Sequence, residues 1–316
     1  MIQNAQLSDR KILVTGASGF IGSHLCKRLC NNGCVVHAVS RRKRNSENNS
    51  LEWWQADLTD IDTARELMVT IKPDLIFHLA GLPKGSRTVD LVLSTFRSNL
   101  MSTVNLLTAA SEVGCDRIIL SGSFEEPGLD NLLMVPSSPY AVTKWACSAY
   151  ARMFHMLYHL PTVNLRIFMV YGPGQYNFSK LIPYTILSSL RGEVVKITDG
   201  HRQIDWIFVE DVIDGLLAVV QAPYLEGSTT DMGSGNLVSI RTVVQQLVNL
   251  IDPQTVILFG ALPDRPMEQV GVANTTATFE RIGWIPRTIL EDGLKLTVYW
   301  YREKFERGEL NLPNVF

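Results

Sequence analysis

Thr15-Gly16-Ala17-Ser18-Gly19-Phe20-Ile21-Gly22 is the stretch that decides the fold of this chain. Before it, Lys11–Thr15 is an apolar, β-branched run; from Phe20 to Asn31, apolar residues recur at helical spacing. The three glycines therefore stand where a strand turns into a helix. A tight turn needs Gly16, close approach of a pyrophosphate to the backbone needs Gly19, and packing of the helix against its strand needs Gly22. The helix start adds free N–H groups and a positive dipole end facing such an anion.

Outward from this turn the same rhythm repeats. Val35–Ser40, Leu75–Leu79, Arg117–Leu120 and Thr162–Phe168 read as further strands, and Thr63–Thr70, Leu91–Val113 and Ala141–Tyr158 as helices between them. Such alternation predicts an α/β fold, a Rossmann-type doubly wound parallel sheet with helices on both faces. After Tyr171 the pattern breaks, with Gly172, Pro173, Gly174, Pro183, Gly192 and Gly200 punctuating shorter elements, although Asp211–Gln221 and Ser239–Ile251 still read as helices. The expected division is a dinucleotide-binding domain over 1–171, to which part of 203–225 returns, and a smaller α/β substrate lobe over 172–316. A length of 316 residues suits one such domain and a lobe.

The tip of the second strand bears on which dinucleotide is bound. NAD-binding domains of this type place Asp or Glu there, against a ribose hydroxyl. Here the position holds Ser40, followed by Arg41 and Arg42. Guanidinium groups clamp a 2′-phosphate that a carboxylate would repel, each contact amounting to roughly 4 kcal/mol before desolvation at ~4 Å and an effective dielectric of ~20. The expectation is NADP rather than NAD.

Composition narrows the function classes. Apolar residues at 46% and charged residues at 19% exclude a largely disordered chain, and a net charge of -2 provides no field for nucleic acid or an anionic membrane. The start, Met1–Lys11, is polar and lacks a secretory signal, and no apolar run is long enough to span a bilayer. The five cysteines, Cys26, Cys30, Cys34, Cys115 and Cys147, are odd in number and scattered, with no histidine or carboxylate completing a tetrahedral set near the first three. Buried reduced thiols, no metal and a cytoplasmic location are expected.

Tyr140-Ala141-Val142-Thr143-Lys144 sets a phenol and an ammonium four residues apart, on one helical face. Hydride transfer at a carbon bearing oxygen requires a proton to move on that oxygen, and a phenol can carry it. A cation ~5 Å away contributes ~3 kcal/mol at an effective dielectric of ~20, so Lys144 is expected to lower the Tyr140 pKa by roughly two units.

Taken with Asp57-Leu58, His78-Leu79-Ala80, Asn99, Ser121-Gly122-Ser123, Leu165-Arg166-Ile167-Phe168, Tyr171-Gly172-Pro173-Gly174, Arg202–Trp206 and Val209–Val212, the chain resembles the extended short-chain dehydrogenases/reductases of the nucleotide-sugar epimerase, dehydratase and 4-ketoreductase group. The likeness runs over nearly the whole chain. It implies cofactor contacts at Gly16, Ser18, Gly19, Phe20, Ile21, Gly22, Ser40, Arg41, Arg42, Asp57, Leu58, Leu79, Ala80, Asn99, Ser121, Tyr140 and Lys144. It implies that Ser123 binds the reacting sugar oxygen, Tyr140 exchanges its proton and Lys144 holds the nicotinamide ribose. Phe124, Arg202 and Arg265 would face the substrate, the arginines at its diphosphate. Met169 stands where many relatives carry asparagine, which predicts a reshaped pocket.

The resembling dehydratases carry Asp and Glu directly after the catalytic hydroxyl residue; here Phe124 fills the acid's place and Glu125 the base's. Dehydration is thereby disfavoured, while Glu125 stays a candidate catalytic group. Arg41 and Arg42 favour a net reduction that consumes NADPH, that of an NDP-4-keto-6-deoxyhexose at its 4-position. A 4-epimerase is the alternative, followed by a 4,6-dehydratase and a non-catalytic dinucleotide-binding protein. The helices at Leu91–Val113 and Ala141–Tyr158 carry more apolar surface than one sheet covers, and the resemblance implies that they pair in a four-helix bundle as a homodimer. Trp53-Trp54 and Tyr299-Trp300-Tyr301 read as packing residues.

Overall fold

The structure, a computed structural model, describes residues 7, 10–46, 50–127 and 135–310; parts of the polar stretches 1–11 and 45–50 lie outside them. In chain order the first elements are β1 (Ile12–Thr15), α1 (Phe20–Asn31), β2 (Val36–Ser40), β3 (Leu51–Gln55), α2 (Ile61–Ile71) and β4 (Leu75–His78). Next come α3 (Leu91–Thr95), a π-helical turn (Phe96–Met101), α4 (Ser102–Val113), β5 (Arg117–Ser123), α5 (Pro139–Tyr158) and β6 (Thr162–Ile167). There follow β7 (Met169–Tyr171), α6 (Leu181–Leu190), β8 (Val195–Lys196), β9 (Gln203–Phe208), α7 (Val209–Gln221) and β10 (Thr229–Met232). The last are β11 (Leu237–Ser239), α8 (Ile240–Ile251), β12 (Ile257–Leu258), α9 (Thr275–Ile282) and α10 (Leu290–Glu306).

The chain forms two compact units. The first comprises residues 1–167, 213–232 and 276–284, the second 168–212, 233–275 and 285–316. Sequence reasoning set the division after Tyr171 and returned part of 203–225; residues 213–225 do return, within the longer segment 213–232 that carries β10, and 276–284 returns as well. Thr162–Phe168, read as one strand, ends at Ile167, and β7 begins a separate sheet at Met169.

The first unit is built on a seven-stranded sheet in the order β10-β6-β5-β4-β1-β2-β3, with every pairing parallel. The order reverses between β1 and β4, the crevice where doubly wound sheets hold ligands. Leu13, Val39, Ile76, Ile118 and Leu120 join residues of α2, α4 and α5 in one buried cluster. The alternate residues Ile12, Val14, Ala38, Phe77 and Ile119 are fully buried as well, as in strands covered on both faces. Capping chemistry sets two helix starts. Asp60 accepts the Asp62 and Thr63 N–H groups at 2.8 and 3.0 Å to begin α2, while Ser138 accepts the Ala141 N–H at 3.1 Å and Pro139 occupies the first turn of α5.

The second unit has a three-stranded sheet, β11-β9-β7, and a two-stranded one, β12-β8. Its core gathers Tyr171, Ile186, Trp206, Phe208, Leu247, Leu294 and Tyr301. Trp300 packs against this core and Trp54 against that of the first unit, as packing residues do, but Tyr299 is 69% exposed. Among the described residues no helix is long and apolar enough to cross a membrane. Cys26, Cys34 and Cys147 are buried, and burial pushes the Cys26 thiol up to about 12, making it a poor nucleophile.

Candidate active site

At the carboxyl end of β1, Gly16 has φ +68°, and a Cβ there would lie 2.7 Å from Ala80 N and Leu79 C at the end of β4. A Cβ on Gly22 would lie 2.2 Å from the Gly16 carbonyl oxygen. Close approach thus requires both glycines, and the positive φ requires Gly16 besides. Gly19 is the N-cap of α1 without a side-chain cap, and no acidic residue stands in the first turn. The leading N–H groups of any α-helix have no intrahelical partner, so this backbone cradle, with Ser18 exposed beside it and Phe20 and Ile21 opening the helix, fits a dinucleotide pyrophosphate.

Behind the cradle runs a fixed hydrogen-bond chain. Ala80 N–H donates to Thr15 Oγ1 at 3.2 Å, and Thr15 Oγ1 lies 2.7 Å from His78 Nδ1. His78 Nε2 lies 2.9 Å from Thr103 Oγ1, which donates to the Asn99 carbonyl at 2.6 Å. Because Thr103 spends its proton on that carbonyl, it receives one from Nε2–H, and Thr15 donates to Nδ1. This fixes the neutral tautomer. Burial, then the Lys144 charge, lowers the His78 pKa to about 3.

Asn99 comes to the site on the π-helical turn, which interrupts what sequence reasoning read as one continuous helix over Leu91–Val113. Such turns insert a residue and re-aim side chains. Asn99 is buried, accepts the Leu82 N–H at 2.6 Å and donates to Thr143 Oγ1 at 3.0 Å, while Thr143 donates to the Tyr140 carbonyl at 2.8 Å. The loop after β4 is thereby tied to the helix bearing Tyr140.

The end of β5 and the start of α5 bring Ser123, Glu125, Tyr140 and Lys144 together. Ser123 Oγ accepts the Glu125 N–H at 3.2 Å, and Ser123 stands close enough to Tyr140 to hold the phenol's pKa down. Lys144 is 7% exposed and donates from Nζ to the Ser121 carbonyl and, at 3.2 Å, to Ser121 Oγ. Ser138 Oγ, already capping α5, donates to Glu125 Oε2 at 3.4 Å. Phe124 holds its place through an N–H donated to the Ile167 carbonyl at 3.2 Å.

One expectation fails here. Burial pushes the Tyr140 phenol well above 10, and Glu125, Glu126 and Cys147 push it further, against the opposing influence of Ser123. Lys144 Nζ stands 6.0 Å from the phenol ring centre, its donors turned to Ser121, and desolvation lowers its own pKa. Loss of water outweighs the ammonium's attraction, so the phenol is held protonated rather than acidified.

At the tip of β2, Ser40 is buried and its Oγ accepts the Arg42 N–H at 3.2 Å, while the Arg41 carbonyl accepts from Gln55 Nε2 at 3.3 Å. These bonds shape the loop and leave Arg41 and Arg42 exposed. Asp57 is exposed beyond β3, and its Oδ1 accepts from Thr59 N and Oγ1 at 3.1 and 2.9 Å; Leu58 is buried, its carbonyl accepting from Asn105.

In the second unit, Arg202 donates to Glu268 Oε1 at 2.9 Å and to the Gln269 carbonyl at 2.9 Å. Arg265 is an exposed loop residue and Met169 opens β7. Sequence reasoning passed over Glu126, which is 4% exposed and accepts the Ser123 N–H at 2.6 Å. The available signal was a carboxylate three residues after the hydroxyl residue, within reach of one turn.

A doubly wound parallel sheet with a glycine cradle at its switch point and a Ser–Tyr–Lys group beside it, Ser123 and Lys144 buried, defines a dinucleotide-dependent dehydrogenase-type enzyme. The profile of the NAD dependent epimerase/dehydratase family matches residues 12–232. The chain belongs to that family. It is 31% identical to a UDP-glucose 4-epimerase of Mycolicibacterium smegmatis, over 93% of this chain and 99% of the relative. It is 29% identical to a dTDP-glucose 4,6-dehydratase of Neisseria meningitidis serogroup B, over 92% and 93%. The crystal structure of UDP-glucuronic acid 4-epimerase from Bacillus cereus in complex with UDP-glucuronic acid and NAD superposes with a TM-score of 0.83 at 27% identity, covering 93% of this chain and 99% of that one.

Proposed function

We propose that this protein uses NADPH to reduce the 4-keto group of a nucleotide-linked 6-deoxyhexose. The observation that carries this reading is a protonated Tyr140 beside Ser123, a pair suited to giving a proton to an oxygen as it gains electrons. The similarity to a UDP-glucose 4-epimerase and a dTDP-glucose 4,6-dehydratase supports a nucleotide-sugar substrate. Phe124, unable to donate a proton, argues against dehydration, and exposed Arg41 and Arg42 on a loop shaped by Ser40 support the 2′-phosphate.

Residues of the glycine cradle and the α1 N-terminus would hold the pyrophosphate, Arg41 and Arg42 the 2′-phosphate, and Asn99, Tyr140 and Lys144 the nicotinamide end. Bound there, the dinucleotide supplies a hydride to the carbonyl carbon. Ser123 Oγ donates a hydrogen bond to the carbonyl oxygen and Tyr140 gives that oxygen its proton, an acid–base contribution of about 10²–10⁴-fold. Lys144 lends positive charge to the phenol as it ionises. Of the two arginines proposed for the substrate diphosphate, Arg202 is engaged by Glu268 and Arg265 is exposed on a loop.

A second reading, 4-epimerisation with retained NAD, is favoured by the 31% identical UDP-glucose 4-epimerase and the NAD-bound structural neighbour. A homodimer is part of either reading, supported by Val92, Leu93, Phe96, Val142 and Tyr150, exposed on α3, the π-helical turn and α5. The deciding experiment incubates the protein with NADPH and UDP-, dTDP-, GDP- and CDP-linked 4-keto sugars and follows cofactor absorbance. Oxidation with one nucleotide class is expected; none, together with interconversion of two ordinary nucleotide sugars, transfers the assignment to epimerisation.

A further inference from the structure

The buried carboxyl of Glu126 has no part in the chemistry above, yet it joins two catalytic elements. Its Oε1 accepts the Ser123 N–H at 2.6 Å, and its Oε2 shares a short hydrogen bond with Ser148 Oγ. The Glu126 N–H closes the turn by donating to the Ser123 carbonyl at 3.1 Å. Ser148 stands on α5 one helical turn beyond Lys144. A single side chain thus ties the end of β5, which presents Ser123, to the helix that presents Tyr140 and Lys144.

We propose that Glu126 is a positioning residue that locks Ser123 onto α5 and thereby fixes the Ser123–Tyr140 contact through which the proton moves; this rests on the reading of the site under Proposed function. Hydrogen-bond accounting assigns its protonation. Ser148 has one hydroxyl proton and two acceptors in reach, Glu126 Oε2 and the Lys144 carbonyl at 3.2 Å. A neutral acid satisfies every group: the acid proton goes to Ser148 Oγ, the Ser148 proton to the Lys144 carbonyl, and Oε1 keeps the Ser123 N–H. Burial acts in the same sense, raising the Glu126 pKa against its two hydrogen bonds and the charges of Lys144 and Arg166. The titratable and charged groups around it are Tyr140, Lys144 and Cys147 of α5 and Arg166 of β6, the last paired with Asp231 of β10 at 2.6 Å.

Glutamine reproduces the acid's pattern, its carbonyl accepting from Ser123 and its amide donating to Ser148; alanine does not. Glu126→Gln, Glu126→Ala and Ser148→Ala are therefore compared with the wild-type chain by three readouts. These are exchange protection of the Ser123 amide proton, infrared difference spectra of the carboxyl against Glu126→Gln across neutral pH, and steady-state kinetics with binding of the dinucleotide. Glu126→Gln is expected to keep Ser123 protection, wild-type kcat and an unmoved pH profile. Glu126→Ala is expected to lose that protection and roughly 10–100-fold in kcat, with KM and dinucleotide affinity little changed. Full protection and kcat in Glu126→Ala, Glu126→Gln as impaired as Glu126→Ala, or a carboxyl that ionises in the ordinary range would each overturn the proposal. If Glu126→Ala does not fold, Ser148→Ala and Glu126→Gln decide it, the first expected to weaken Ser123 protection and the second to preserve it. A wild-type chain that turns over no nucleotide sugar refutes the functional reading instead, while exchange and infrared results still judge the anchor.

Discussion

Single residues set the site's protonation and, on the proposed reading, its choice of cofactor. His78 is neutral because its folded value lies near 3 against 6.5 ordinarily. Between those values only the unfolded chain takes up the proton, so the stability it contributes is complete above about 6.5 and drains away as pH falls toward 3. Urea unfolding at stepped pH is expected to show this decline, and His78→Gln to flatten it; an equal slope in both proteins would remove His78 as the cause. At the β2 tip, replacing Arg41 and Arg42 together by serine is expected to weaken NADPH binding by at least about 10-fold while leaving NADH binding nearly unchanged, as measured by titration. Equal loss of both cofactors would mean that these arginines bear no 2′-phosphate. Tyr140 and Lys144 were legible in the sequence as a pair, but their electrostatics were not. Spacing along a helix reports proximity; it does not report that Lys144 turns to Ser121 or that desolvation governs the phenol.

Local rules carried the elements of the first unit further than those of the second. The caps Asp60 and Ser138, with Pro139, start the helices at Ile61 and Pro139, ahead of the Thr63 and Ala141 read from apolar spacing. Asp60→Ala is expected to cost about 1 kcal/mol, seen as a lower urea midpoint with an unchanged slope; no change would deny the cap any net stabilisation. The π-helical turn was illegible because its apolar spacing imitates that of an α-helix, and only the added residue distinguishes it. β3 has mixed exposure along Leu51-Glu52-Trp53-Trp54-Gln55, without clean alternation, and periodicity did not reveal it. In the second unit Pro183 read as a breaker. It stands instead in the first turn of α6, where a missing N–H costs nothing. Strands as short as β8 and β12, of two residues each, carry no period to read.

For the whole molecule, the near-neutral charge and the two-unit build are consistent with a small anionic ligand drawn by local groups rather than by an overall field. The parallel, doubly wound sheet was legible in the alternation of strands and helices, whereas its strand order and the return of 213–232 and 276–284 to the first unit depend on contacts distant in sequence. The central claim is that this fold carries a hydride to a sugar carbon while Tyr140 supplies the proton. It is tested most directly with NADPH deuterated at the transferring position, an NDP-4-keto-6-deoxyhexose, and the wild-type and Tyr140→Phe proteins, following the label by mass spectrometry and NMR. The wild-type product should carry one deuterium at C4, and Tyr140→Phe should bind the cofactor normally but transfer label about 10²–10⁴-fold more slowly. Label retained in the cofactor with every keto sugar, or undiminished transfer by Tyr140→Phe, would contradict the account.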